Sequence, residues 1–409
     1  MRIALVVEGT RGDVHPLLGL GNALHQAGCE VRVCAPPDFE AEAREHGFSF
    51  RPIGPSVRAF LEEHAGSVAG GGLKAVAAGD RYLRQALDWQ FGELPNATAD
   101  CDGIFAAGVQ FSAASIAEHH GIPYRYVAYC PQLLPSREHP PFVIPVYSMP
   151  QWANRLAWWA VRGLFNATIL RLLNRHRRRL GLAPARDVFR HFLRGGAILA
   201  ADAELADVPR DGEFEIEQIP CLHPLEPERL PAKLEAFLEQ GPAPVYIGFG
   251  SMTDPHPART TRTILEAVDR VGCRALLSKG WAGLAEGPLP ENVQAVDTVS
   301  HAALFPHVAA VVHHGGAGTT TTAARVGAPQ ILVPHLLDQF YWSQRVRLLG
   351  LGPPAIPRPR LSSGRLAVAL VETLENEIVI ERARDLGRRL RARAAEPIDV
   401  GRLLRRLQG

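Results

Sequence analysis

The sequence predicts an α/β protein built of two Rossmann-like, doubly wound halves that face each other across a cleft. Three observations carry that expectation. A length of 409 residues exceeds one ordinary domain and suits two, each large enough to bury a core. The chain opens with a short β-branched run, a glycine-bearing turn, an amphipathic helix and a second run, which is the β-loop-α-β unit of a parallel sheet. After a proline-rich stretch near the middle, the same alternation starts again.

In chain order, Ile3–Val7 reads as a strand, Gly9–Pro16 as a turn, about Pro16–Gln26 as a helix and Val31–Ala35 as a strand. Gly103–Phe105 and Tyr124–Val127 add strands on either side of a helical Ala113–His120. Gly70–Gly72 reads as a mobile surface loop, with a substrate-gating lid as the alternative. Tyr129–Pro150 is rich in proline and aromatics, and Gln151–Leu182 follows as one long helical stretch. Its Trp152, Trp158 and Trp159 read first as core or pocket wall and second as lipid anchors. The basic run Arg171–Arg179 reads first as a solvated helix face, with weak membrane-surface contact as the alternative.

Six prolines between Pro220 and Pro244 mark an interdomain linker, interrupted by a short helix near Ala232–Leu238. The second half then alternates through Val245–Phe249 (strand), Ala258–Val271 (helix), Arg274–Ser278, Val293–Val296 and Ala309–Val312 (strands), Gly318–Arg325 (helix) and Ile331–Val333 (strand). The expected boundaries are residues 1–220 for the first half, 221–243 for the linker and 244–385 for the second half. An arginine-rich helical tail, 386–409, is expected to pack across the joint.

Composition fits a soluble globular enzyme: 46% hydrophobic, 21% charged and a formal net charge of +2, which demands no nucleic-acid partner. The six cysteines are scattered without a CxxC pair or a His/Cys grouping suited to zinc, so reduced packing residues are expected. The apolar start Met1–Val7 soon meets Glu8, Arg11 and Asp13, which rules out reading it as a signal peptide or membrane span; the expected location is cytoplasmic.

The stretch His313-His314-Gly315-Gly316-Ala317-Gly318-Thr319-Thr320 follows an apolar strand and opens a helix. Glycines let the backbone approach a ligand closely, first-turn N–H groups lack helical partners, and the helix dipole favours an anion by about 0.3–1 kcal/mol. A diphosphate suits that arrangement, with His314 able to donate to a phosphate oxygen. Asp338-Gln339 lies just beyond the strand Ile331–Val333, where ligands of open α/β sheets bind; the pair can hold vicinal hydroxyls, and Asp338 can equally cap the next helix. Ser251, in the strand-end loop Gly248–Met252, can reach the same diphosphate, and Trp281 can offer a flat face to a base.

In the first half, Gly9-Thr10-Arg11-Gly12-Asp13-Val14-His15-Pro16 fills the turn after the first strand. A carboxylate at Asp13 is ionised near neutrality and can take a proton from a hydroxyl without a large pKa shift. Capping of the following helix is the competing reading of Asp13, and His15 is the alternative base. No GxxxxGK[ST], HExxH, GxSxG or GxGxxG is found at the places those chemistries require, so a nucleotide other than a nicotinamide dinucleotide is expected.

On these residues the chain resembles the GT-B glycosyltransferases of family one, in particular the branch of bacterial glycopeptide-antibiotic, sterol and rhamnolipid glycosyltransferases. Gly9–Pro16 is similar to that branch's N-terminal loop, Val245–Ser251 to its interdomain strand and turn, and His314–Thr320 with Asp338-Gln339 to its donor signature. The resemblance implies an N-terminal acceptor domain, a C-terminal nucleotide-sugar domain and inversion by one in-line displacement, with no metal and no cofactor beyond the nucleotide-sugar co-substrate. It places Asp13 at the catalytic base position. It assigns diphosphate contacts to Ser251, His314, Gly316, Ala317, Gly318 and Thr319, sugar contacts to Asp338 and Gln339, and the base to Trp281 and Val299. Thr10, Arg11, Gly12 and His335 are further donor or acceptor contacts on the same basis. Where plant members carry a ribose-binding Glu eight residues beyond the signature His, this chain has Thr322. The expected partners are a UDP- or dTDP-sugar and an apolar small-molecule acceptor. A nucleotide-sugar epimerase and a non-catalytic nucleotide-sugar-binding protein are the alternatives.

Overall fold

The computed structural model describes residues 1–60, 63, 72–146, 148–223, 229–394 and 398–408. Residues 70–71 of the expected mobile loop, and 224–228 of the linker, lie outside the described residues. Two wholly parallel sheets organise the chain. The first has seven strands in the order β3-β2-β1-β4-β5-β6-β7: β1 (Arg2–Glu8), β2 (Glu30–Ala35), β3 (Ser49–Pro52), β4 (Gly103–Gly108), β5 (Tyr124–Ala128), β6 (Ala197–Ala200) and β7 (Ile216–Ile219). The second has five, in the order β10-β9-β8-β11-β12: β8 (Val245–Gly248), β9 (Ala275–Ser278), β10 (Val293–Val296), β11 (Ala310–His313) and β12 (Gln330–Leu332).

The strand order reverses at β1/β4 in the first sheet and at β8/β11 in the second, so the C-terminal ends of these strands form the switch-point crevices where open α/β sheets take ligands. Helices cover both faces, which is why the central strands are continuous apolar runs: Ile3–Val7 and Ile104–Ala107 are fully buried. One hydrophobic cluster runs through both halves, joining Ala106 and Leu199 to Trp342, Leu386 and Leu390. The terminal helix Val400–Gln408 returns to the first sheet and buries Val400, Leu403 and Leu407 with Ile3 and Leu5.

Three expectations change. The first helix spans Arg11–Gln26 and contains Pro16 rather than starting there, so Asp13 lies in its first turn and not in a loop. The single helix expected over 151–182 is two, Gln151–Thr168 and Leu170–Arg179, and the basic run within it is divided. Arg177 is buried and pairs with Glu118, whereas Arg171, Arg175, Arg178 and Arg179 are exposed. Trp158 is core and donates through Nε1 to the His139 carbonyl at 3.1 Å, but Trp152 and Trp159 are 72% and 73% exposed and form neither core nor pocket wall. The described cysteines are all free, and only Cys273 is not fully buried.

Candidate active site

A cleft of ≈ 2160 Å³ lies between the two sheets' switch points, and every site residue anticipated above lines it, from Thr10 and Asp13 to Val299, His314 and Gln339. The first half contributes one loop and one helix end. Thr10 is the N-cap of Arg11–Gln26, and its N–H donates to Asp13 Oδ2 at 2.9 Å, closing a capping box. Gly9 has φ +153°, and a Cβ there would fall 2.2 Å from the same carboxylate oxygen, so only glycine leaves room for Asp13. The Tyr129 hydroxyl donates to the Asp13 carbonyl at 2.8 Å and fixes the turn from β5.

The Asp13 carboxyl is not the ordinary one expected from sequence. Burial pushes it up to about 7, partly offset by its bonds to Thr10 and reinforced by the charge of Asp338 across the cleft. The carboxylate thus serves the helix N-terminus and is also poised to titrate near neutrality. His15, the alternative base, has Nε2 2.8 Å from Glu42 Oε1 and is engaged with that carboxylate.

In the second half, β11 ends at His313, and it and the next residue, His314, have different roles. His313 is fully buried, with Nε2 2.9 Å from Gln330 Oε1 and Nδ1 accepting from the Gly315 N–H at 3.2 Å, and so it holds the turn. His314 faces the cleft. Its ring packs against Gly250 and Gly316, where added Cβ atoms would come within 3.0 and 2.6 Å of it, and its Nδ1 is buried without a partner. Desolvation lowers its pKa well below the ordinary value, so the ring is neutral and donates one N–H without carrying charge. Gly316 then caps the helix Ala317–Val326, no side chain satisfies the first-turn N–H groups, and the next N–H, of Thr320, already bonds back to Gly316. An unpartnered imidazole nitrogen beside open helical N–H groups fits the oxygens of a diphosphate.

Asp338 stands at the N-cap position of the helix Gln339–Leu348 but its side chain makes no capping bond; the carboxylate instead accepts from Trp342 Nε1 at 3.2 Å and is pushed up to about 6 by burial. Gln339 is partly spent on its own loop: Oε1 accepts the N–H groups of His335 and Leu336 at 2.7 and 3.1 Å. Between them Leu337 adopts φ +53°, a conformation a leucine keeps only when its surroundings impose it. The Thr322 hydroxyl bonds to the Gly318 carbonyl at 2.9 Å within its helix.

The apolar wall of the cleft comes from Phe111, Leu133, Phe142, Val161, Leu164, Phe165, Phe189 and Phe192 of the first half. Two residues at the site escaped the sequence reading. Glu8, at the end of β1, is fully buried, accepts from the Tyr82 hydroxyl and is pushed up to about 7 by burial, with Asp13 adding to the shift. Its signal was a charged residue ending an otherwise apolar strand. His223 lines the cleft near Gly318 with its Nε2 buried and unpartnered; an isolated histidine among linker prolines carries no periodic signal.

Comparison with known proteins agrees with this architecture. The glycosyltransferase family 28 N-terminal domain model matches residues 3–136, and the erythromycin biosynthesis protein CIII-like C-terminal domain model matches residues 264–406. The chain is 37% identical over 394 residues to the vancomycin aglycone glucosyltransferase of Amycolatopsis orientalis, covering 90% of each chain. It is 30% identical over 408 residues to a sterol 3-beta-glucosyltransferase of Arabidopsis thaliana, covering 92% of this chain and 64% of the relative. Among solved structures it is similar to the spinosyn forosaminyltransferase, with TM-score 0.73, 16% identity and 100% of both chains covered. It is also similar to glycosyltransferase VinC in complex with dTDP, with TM-score 0.65, 21% identity and 100% and 99% coverage. Two parallel sheets facing across a cleft, the paired domain matches and the full-length relatives together place the chain in the GT-B glycosyltransferases that join a family 28 N-terminal domain to a CIII-like C-terminal domain.

Proposed function

We propose that this enzyme transfers a hexose or deoxyhexose from a UDP- or dTDP-sugar to a hydroxyl of a lipophilic small molecule, with inversion and without a metal. The acceptor class is a natural product, sterol or glycolipid precursor. The observation that carries the reading is the pairing, within one cleft, of a carboxyl tuned to about 7 on one half with an unpartnered histidine and open helix N-terminus on the other. The acceptor oxygen attacks the anomeric carbon, its proton passes to Asp13, and the bond from that carbon to the diphosphate oxygen breaks, the electron pair leaving with the nucleoside diphosphate. A base with a pKa near the working pH is both ionised and basic enough to accept that proton. His314 and the N–H groups of Ala317, Gly318 and Thr319 take up the charge that develops on the departing diphosphate.

Asp338 and Gln339 hold the donor sugar, Ser251 supports the diphosphate, and Trp281 with Val299 flanks the base; Thr10, Arg11, Gly12 and His335 complete the walls. The phenylalanine-rich wall of the first half supports an apolar acceptor, as do relatives named for a vancomycin aglycone and for sterols. Structures of similar fold solved with dTDP support a nucleotide donor. Proton NMR of the purified glycoside tests the stereochemistry: an anomeric configuration opposite to the donor's is expected, and a retained configuration would remove the single-displacement mechanism.

A further inference from the structure

The helix Gln151–Thr168 presents an apolar outer face that the cleft does not use. Trp152, Leu156 and Trp159 recur at i, i+4 and i+7, one stripe of an α-helix, and are 72%, 56% and 73% exposed. No acidic residue occurs anywhere from Gln151 to Arg179, whereas Arg155, Arg171, Arg175, Arg178 and Arg179 are exposed there. Neighbouring carboxylates have partners elsewhere: Asp187 and Glu213 pair with Arg162, Glu118 with Arg177 and Arg194, and Asp88 lies 2.9 Å from the His176 ring. Exposed tryptophan and leucine with Arg155 on the same helix, followed directly by a second helix with four exposed arginines, is the composition of a segment that lies in the headgroup region of an anionic bilayer. A second copy of the same surface would set arginine against arginine, and nucleic acid would leave the tryptophan and leucine stripe unexplained.

The surface also reaches the cleft. Leu164 and Val143 are 54% and 42% exposed and line its apolar wall at the same time. No helix among the described residues is long and apolar enough to cross a membrane, so contact would be with one leaflet only. We propose that this face docks the first half of the protein on an anionic lipid surface, with Trp152, Leu156 and Trp159 seated among the headgroups, the arginines on lipid phosphates and the apolar mouth of the cleft turned toward the bilayer. Docking does not depend on the transfer reaction, and its test reads binding alone.

The test is flotation of the full chain with vesicles of phosphatidylcholine, or of phosphatidylcholine with phosphatidylglycerol, at low and high salt. The wild type is expected to float with the anionic vesicles, less so at high salt. The combined Trp152→Ser and Trp159→Ser variant, and the Gln variant of Arg171, Arg175, Arg178 and Arg179, are each expected to lose at least about tenfold in partition, since each surface charge alone contributes roughly fivefold. Turnover of a water-soluble acceptor by the double Trp variant should remain, which separates lost docking from lost folding. Wild type that stays with the soluble fraction in every mixture, or a double Trp variant that floats as well as wild type, overturns the proposal. So does a concentration-dependent dimer that the double Trp variant abolishes while vesicles bind neither protein, because the face is then a self-interface.

Discussion

The backbone N–H of Thr10 donates to the Asp13 carboxylate at 2.9 Å, so one oxygen of the candidate base is fixed by the helix it helps to start. That bond favours the ionised form, burial opposes it more strongly, and the carboxyl settles at about 7. If Asp13 takes the acceptor proton, kcat/KM rises with pH through about 7 and then levels, and Asp13→Asn removes both the rise and nearly all turnover. A pH profile of wild type and variant at saturating donor checks this, and a flat wild-type profile between pH 5 and 9 would count against it.

The same carboxyl makes a prediction for stability. A folded-state pKa above the unfolded value near 4 means that the native state holds the proton more tightly than the unfolded chain does. Its stabilising contribution is fully present below about pH 4 and is lost as pH rises through 7. Asp13→Asn, which keeps an oxygen to accept from Thr10, should therefore melt above wild type at pH 8, and the difference should shrink at pH 4. Thermal unfolding at the two values gives the comparison, and equal melting temperatures at pH 8 would argue that the buried carboxylate costs nothing.

Gly9→Ala should abolish activity without touching a reacting group. Its Cβ would occupy the place of Asp13 Oδ2, and φ +153° is a conformation L residues rarely adopt, costing about 1–3 kcal/mol in strain. Urea unfolding should show that loss, while calorimetric binding of the nucleoside diphosphate, made by the other half, stays near wild type. An active Gly9→Ala variant would mean that the Asp13 carboxylate works from another position.

The paired histidines should separate. His314→Ala removes a donor to a charged ligand and should weaken nucleoside diphosphate binding roughly ten- to hundredfold with little change in stability. His313→Ala strips the partners from Gln330 and the Gly315 N–H and should instead destabilise the fold by about 1–3 kcal/mol. Calorimetry and urea melts on both variants distinguish these outcomes, and unaltered affinity in His314→Ala would move the phosphate site elsewhere.

Arg325, on the helix that opens at Gly316, forms two bonds of 3.0 and 2.8 Å to Asp202 beyond the end of β6 and a third, of 2.8 Å, to the Cys221 carbonyl. The helix that opens at Gly316 is thereby fastened to the first half. Removing the arginine leaves the buried Asp202 carboxylate uncompensated, so Arg325→Ala should cost about 3 kcal/mol in urea unfolding. Adding Asp202→Ala should recover part of that loss, and a purely additive double variant would show that the pair is not coupled.

Much of the second half was legible because its strands are short apolar runs separated by turns with glycine or proline, and the loop His314–Gly316 places glycines where a strand meets a helix. The first half was harder. Edge strands β3 and β7 carry Arg51 and Glu217 and bury only Phe50 and Ile219 fully, and the four residues of β6 are too few for any period to show. Pro16 disguised the helix start, because proline ordinarily occupies a first turn. Asp13 was recognised by its place at the loop, yet its raised pKa depends on burial and on the charge of Asp338, far away in the sequence, which no local pattern encodes. The outward turn of Trp152 and Trp159 is hidden for the same reason: the sequence shows a helix with tryptophans, and only packing decides which of them the core takes.

Glycosyl transfer with Asp13 as base is tested most directly by mass-spectrometric turnover of UDP- and dTDP-sugars against a panel of apolar alcohols and phenols, with wild type and Asp13→Asn run side by side. The account predicts a product heavier by one hexosyl or deoxyhexosyl unit with wild type and none above background with the variant, although both bind the nucleotide. A donor isomerised without any acceptor adduct, or an Asp13→Asn enzyme that turns over at the wild-type rate, would contradict it.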